Sequence, residues 1–177
     1  MKEISDFANS PLTWAQTSWW NFDFELRSRQ EVLARLKFKG ALSAEASGKF
    51  DQVEWKFKRE GFWQNKMLAF EQPGGLQTAY FRLTDWTGGG WLTIAGGSEY
   101  KVQYHSLMNK LEFFTPQGQL AVRFKHGGWL HYKGPVEIQP SFWNEPALPL
   151  LIVMGWYVSL ILNTSSGART PIDVNNS

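Results

Sequence analysis

Three short units place like charges at a spacing that could do chemistry: Lys37-Phe38-Lys39, Lys56-Phe57-Lys58 and Arg123-Phe124-Lys125, followed closely by Gly40, Gly61 and Gly127. In an extended strand successive side chains point to opposite faces, so each unit turns two cations one way and a phenylalanine the other. If the strands that carry them are neighbours, the cations form a stripe, with Arg59 adjoining the second unit. Such a stripe attracts phosphate or anionic lipid headgroups, at about 1 kcal/mol per basic residue near a charged membrane surface. Lys37, Lys39, Lys56, Lys58, Arg59, Arg123 and Lys125 are therefore the candidate anionic-ligand face. The competing reading is that outward lysines solubilise a sheet and guard its edges.

Other constellations are weaker. His126 and His131 flank Gly127-Gly128 closely enough to meet across a hairpin, and His105 is the third histidine. A catalytic zinc ion needs about three protein ligands, so surface histidines are the expected fate and no metal is expected. Gly88-Gly89-Gly90 lacks the Lys-Ser or Lys-Thr that would make it a phosphate loop and reads as a turn. Asp51, Glu54, Asp85, Glu99 and Glu112 are dispersed, with nothing to pair two of them as general acid and base. The absence of cysteine removes thiolate catalysis, disulfides and Cys-based metal sites, and is compatible with a reducing compartment. Trp14, Trp19, Trp20, Phe22 and Phe24 could stack nucleobases or line a ligand mouth, although core and rim packing is the commoner use of such rings. Arg59-Glu60-Gly61-Phe62-Trp63 has the residue types of an RNA-recognition submotif in the wrong order. A net charge of +2 is too small to favour a nucleic-acid partner.

The elements that must hold these groups are strands. The 177 residues are 43% apolar and 19% charged, which is globular usage, and 16% are aromatic, which suits strands packed about a shared interior. One domain over 1–177 is the expectation, with strands from about 12 to 138. Val32, Ala34, Leu36 and Phe38 alternate with Leu33, Arg35, Lys37 and Lys39, and Val53, Trp55 and Phe57 alternate with Glu54, Lys56 and Lys58. Further runs at Phe62 to Phe70, Gln77 to Leu83, Gly90 to Ala95, Tyr100 to His105, Leu111 to Thr115, Leu120 to Lys125 and Trp129 to Ile138 give about a dozen strands joined by tight turns. Gly89 to Gly96 is echoed by Gly127 to Gly134 as a Gly-Gly-Trp-Leu unit at a period of 38, which suggests recurring hairpins.

Ala147 to Leu162 breaks the rhythm and predicts a helix over about 145–162, with Asn144 as N-cap, Pro146 and Pro149 in the first turn, and Asn163 opening a polar tail to residue 177. A helix apolar on every side is surrounded by protein or by lipid. Its sixteen residues span roughly 24 Å, short of the ~30 Å hydrocarbon core, and Gly155, Trp156, Tyr157 and Ser159 sit mid-segment. A barrel of a dozen strands has a bore too wide for its own side chains and needs an inserted element. The expected fold is therefore a mainly β, closed antiparallel barrel of about twelve strands around a hydrophobic C-terminal helix.

In this strand-and-glycine rhythm from about Trp19 to Ile138, and in Glu145-Pro146-Ala147-Leu148-Pro149-Leu150 leading into Met154-Gly155-Trp156-Tyr157-Val158, the chain resembles the tubby C-terminal-like superfamily of tubby proteins, phospholipid scramblases and LURP-one-related proteins, most closely its small bacterial members. The resemblance implies a twelve-stranded barrel wrapped around a hydrophobic helix and, by analogy with tubby proteins, phosphoinositide recognition by basic residues on the barrel surface. It does not extend to calcium-dependent scrambling: the cysteine-rich acylation site is missing, and Val136-Glu137-Ile138-Gln139-Pro140 offers one carboxylate where scramblases carry an acidic calcium segment.

The functional expectation is a non-enzymatic binding or adaptor module for anionic lipid headgroups or phosphorylated ligands, needing no cofactor. Its polar, mixed-charge start from Met1 to Phe7 has no signal-peptide run, so a cytoplasmic location, peripheral to a membrane, is expected. Two alternatives stand beside it: a tail-anchored protein with Ala147 to Leu162 in lipid, and a hydrophobic-ligand carrier in which the helix packs outside an open barrel.

Overall fold

Alternating burial along each segment turns into a closed ring of strands. The computed structural model describes residues 4–18, 22–40, 43–60, 65–84, 87–127 and 132–167. The strands are β1 (Leu12–Gln16), β2 (Asp23–Ser28), β3 (Glu31–Phe38), β4 (Ala46–Phe50), β5 (Val53–Glu60) and β6 (Lys66–Gln72). They continue as β7 (Leu76–Leu83), β8 (Gly90–Ile94), β9 (Glu99–His105), β10 (Lys110–Phe114), β11 (Leu120–Lys125) and β12 (Lys133–Ile138). Each strand pairs with its neighbours in sequence, and β1 pairs with β12 to close the barrel. At that seam Leu12 faces Val136 and Trp14 faces Gly134.

The expected alternation is present where it was clearest. Ala34 and Leu36 of β3, and Trp55 and Phe57 of β5, are buried, whereas Lys37 and Lys56 are exposed. At the strand starts it fails, because Val32 and Val53 lie beside turns and stay exposed. The runs expected to begin at Phe62 and Trp129 start outside the described residues, as do residues 128–131 of the second Gly-Gly-Trp-Leu unit. The first unit covers β8 and the turn after it.

Among the described residues one α-helix, α1 (Leu148–Gly167), fills the bore. Leu148, Leu151 to Met154 and Trp156 to Ser159 are fully buried. The helix contacts β3 and β4 on one side and β10 and β11 on the other. Because β4 and β10 stand six places apart in the ring of twelve, a helix that touches both lies inside it. Trp156 stacks on Trp14 of β1, with centroids 5.8 Å apart, and Tyr157 stacks on Phe57 of β5 at 5.1 Å. A helix surrounded in this way has no need of a polar stripe. Small residues let it in: a Cβ at Gly48 would approach Val153 and Phe57 to 2.5 Å, and one at Gly155 would approach the Phe124 ring to 2.5 Å.

Occupancy of the bore overturns the open-barrel carrier with its helix outside. No helix among the described residues is long and apolar enough to cross a membrane. The helix limits also differ from expectation. Asn144 does not cap α1; the chain makes further turns, with Glu145 N–H donating to Phe142 O and Leu148 N–H to Glu145 O, before the helix starts at Leu148. Nor does the helix stop at Asn163. The Thr164 hydroxyl bonds back to the carbonyls of Leu160 and Ile161, keeping its polar group within the helix, and Tyr104 donates to Asn163 Oδ1. Trp14 and Phe24 of the aromatic run are buried against α1 and so unable to stack a nucleobase; Trp19 and Trp20 lie outside the described residues.

Candidate functional site

Across β3 to β6 the register places Lys37 beside Ser47, Ser47 beside Lys56, and Lys56 beside Phe70. All four belong to the outward parity, opposite buried Leu36, Gly48, Phe57 and Ala69. With strands about 4.8 Å apart, the lysines of β3 and β5 rise roughly 10 Å from each other over the intervening strand. Their flexible stems can therefore reach one anion between them. Two residues further along, Lys39 and Lys58 repeat the arrangement about Glu45. The four lysines, with Ser47, Glu45, Phe70 and Gln72, line a surface groove of 610 Å³.

Three of the four groove lysines have carboxylate partners. Lys37 Nζ is 3.9 Å from Asp23 Oδ2, Lys39 pairs with Glu45 at 3.1 Å, and Lys58 pairs with Glu60 while its ammonium lies 4.8 Å from the centre of the Phe70 ring. Lys56 has no ion pair among the described residues. Exposed pairs of this kind contribute about 0–1 kcal/mol, so an incoming polyanion can displace them.

The remaining candidates lie elsewhere. Lys125 and Arg123 belong to β11, six places round the ring from β5, so no continuous stripe joins them to the lysine groove. They are also engaged. Arg123 donates to Glu112 at 2.7 Å and to Glu137 at 2.8 Å, and Lys125 meets Glu137 at 2.9 Å. Lys110 and His105 approach the other Glu112 oxygen at 3.0 and 3.2 Å. Burial pushes the Glu112 carboxyl up, yet hydrogen bonds and charge from Arg123 and Lys110 outweigh it and hold the group below the usual carboxylate range. The hydrogen bonds that Arg123 donates to Glu112 and Glu137 raise its own pKa in turn. This cluster ties β10, β11 and β12 together, and each of its basic side chains already holds a carboxylate oxygen.

Arg59 has the parity of Trp55 and Phe57 and so turns inward, not toward the groove. Half-buried near Tyr157, it is held below its ordinary pKa by desolvation. Burial also raises the Tyr157 phenol, whose hydroxyl donates to Ala44 O at 2.6 Å.

Among the described residues no three ligating side chains cluster, and His131 lies outside them. His126 departs from the expected surface position: it is largely buried beside Trp156, and desolvation lowers its pKa to about 4. Sequence reasoning missed Ser47 and Phe70 in the groove and the buried pairing of Glu112. A faint signal for Ser47 existed, since Ala46, Gly48 and Phe50 alternate with Ser47 and Lys49.

No protein-family model matches the sequence, and no curated protein does. The fold does have a solved counterpart, the X-ray structure of the Arabidopsis thaliana protein AT5G01750, which superposes with a TM-score of 0.55 over 93% of this chain and 96% of that one at 10% identity. At that identity the likeness speaks for the fold alone: a closed antiparallel barrel of twelve strands around a C-terminal helix, the architecture that the tubby-like resemblance implies.

Proposed function

We propose that this chain is a distant tubby-like binding module, without catalytic activity, that docks on negatively charged headgroups through Lys37, Lys39, Lys56 and Lys58. The observation that carries this reading is that one groove gathers four lysines around a single lining carboxylate, Glu45, with the Lys56 ammonium unpaired among the described residues. Ammonium groups on flexible stems suit a phosphate that presents oxygens in several directions, and Ser47 adds a hydroxyl between them. Phe70 supplies an apolar wall against which an inositol or glycerol face can rest.

The test is co-flotation with phosphatidylcholine vesicles with and without 5% phosphatidylinositol 4,5-bisphosphate, a composition chosen at about this level for adequate surface charge. Soluble inositol trisphosphate serves as competitor. The wild-type chain should float only with the anionic vesicles, and Lys37→Ala with Lys56→Ala should weaken binding by roughly 30-fold, about 1 kcal/mol per lysine. Competition by the soluble headgroup identifies the phosphate itself as the ligand; failure to compete identifies the charged membrane surface. Equal recovery with neutral vesicles, or unchanged binding by the double variant, overturns the proposal.

A further inference from the structure

Where α1 enters the barrel, the opposite end from the Tyr157 contact with Ala44, a second and larger pocket of 890 Å³ opens. Its walls are the β4–β5, β6–β7 and β8–β9 turns, the approach to α1, and Ile4 of the N-terminal 3-10 turn (Ile4–Phe7). This volume lies in the range of about 300–1,000 Å³ usual for small-ligand sites. Apolar lining comes from Phe50, Trp55, Leu76, Ile94, Trp143 and Leu150.

Its charge is opposite to that of the lysine groove. Asp51, Glu71 and Glu145 line it, and no Lys, Arg or His does so among the described residues. Glu25, Glu45, Glu54, Glu60, Glu112 and Glu137 each have a basic partner, whereas Glu99 accepts from the Thr93 hydroxyl. Asp51, Glu71 and Glu145 have no ion pair among the described residues. Three carboxylates without an ion pair among the described residues thus line one apolar cavity. Their field is felt nearby: burial, and after it the charge of Glu145, pushes the Tyr100 phenol up to about 12.

We propose that this pocket binds a small organic ammonium ion with an apolar body, the body resting among Trp55, Trp143 and Leu150 and the cation among Asp51, Glu71 and Glu145. Two features select that class. Among the described residues the carboxylates form no group that could hold a metal ion, and the size of the cavity suits a cation carried on a larger molecule. Aromatic walls favour an ammonium group over an anion, because ring faces carry negative potential. An anionic amphiphile would meet three like charges, and a neutral one would gain no attraction from them. The site is separate from the lysine groove and stands or falls independently of it.

Isothermal titration of the full chain with octyltrimethylammonium, octyl sulfate and octanol, all below micelle-forming concentrations, tests the proposal. The ammonium should bind one per chain and at least tenfold more tightly than either relative. Replacing the carboxylates together (Asp51→Asn, Glu71→Gln, Glu145→Gln) should erase that preference; asparagine tolerates the left-handed backbone of Asp51, at φ 50°. Ala95→Trp, at an exposed lining position, should block the pocket without changing its charge. Equal binding of the three probes, or undiminished ammonium binding in either variant, overturns the proposal. Should the triple variant unfold, the selectivity of the native chain and the loss with Ala95→Trp decide it.

Discussion

His126 stacks on Trp156 with ring centroids 4.6 Å apart and planes 21° from parallel, and its Nε2 meets the hydroxyl of Ser159 on the buried helix. Its Nδ1 has no hydrogen-bond partner among the described residues, so a proton added there is a charge shut away from water. Unfolded, the imidazole takes a proton near 6.5; folded, it resists until about 4. The unfolded chain therefore binds more protons in that window, and stability falls as pH drops through it, by a few kcal/mol in all. Above about 6.5 this contribution is complete. Urea unfolding at pH 7.5 and 5.0 should show the loss, and His126→Gln should flatten it; an unchanged slope in the variant would assign the pH dependence to other groups.

Gly134 faces Trp14 across the seam, and a Cβ there would overlap the carbonyl oxygen of Lys125 and crowd the Trp156 ring. Backbone cannot retreat as a side-chain tip can. Gly134→Ala is expected to destabilise the barrel by at least about 2 kcal/mol, in the range of overpacked cores. Gly40→Ala, with open space around it, should change stability little. Thermal unfolding of the two variants side by side gives the comparison.

The Arg123 cluster and the lysine groove make opposite demands on stability and binding. Arg123→Gln removes hydrogen bonds from Glu112, whose side chain is only 6% exposed, and should destabilise the fold by about 1–3 kcal/mol, since Lys110 remains beside the carboxylate. Vesicle binding by the folded variant should persist. Lys56→Ala should do the reverse, leaving stability within about 0.5 kcal/mol and weakening binding. Paired denaturation and flotation measurements separate the two roles, and a shared loss of binding would place Arg123 within the ligand face after all.

Removing α1 deletes the largest part of the bore. A chain ending at Asn144 keeps all twelve strands yet leaves Trp14, Phe24, Phe57, Phe113 and Phe124 around a void. It should aggregate or show no cooperative unfolding, while the full chain remains dispersed without detergent. A folded, soluble truncation would show that the strands close without their contents.

Local patterns carried the architecture further than they carried the site. Alternation in β3 and β5 and the uninterrupted apolar run of α1 together imply a filled barrel, because each is a statement about what a segment's faces touch. Position around the ring is different. Lys37-Phe38-Lys39 and Arg123-Phe124-Lys125 read alike because alternation determines which way a side chain points and nothing about which strands stand beside it. Only the ring order separates an exposed lysine groove from a saturated ion cluster. Arg59 shows the sharpness of the rule, since one residue's displacement from Lys58 sends it to the other face. Ser47 and Phe70 reach the groove through register, which no local pattern encodes.

The order in which the parts are made sets the terms of folding. The element that fills the bore follows all twelve strands in the chain, and the closing pair joins the first strand to the last. During synthesis, at about 5–20 residues per second, the nascent meander must wait with its aromatic inner face uncovered and its first edge unpaired. Burial of that face is thus tied to arrival of the helix, the last of these elements to leave the ribosome.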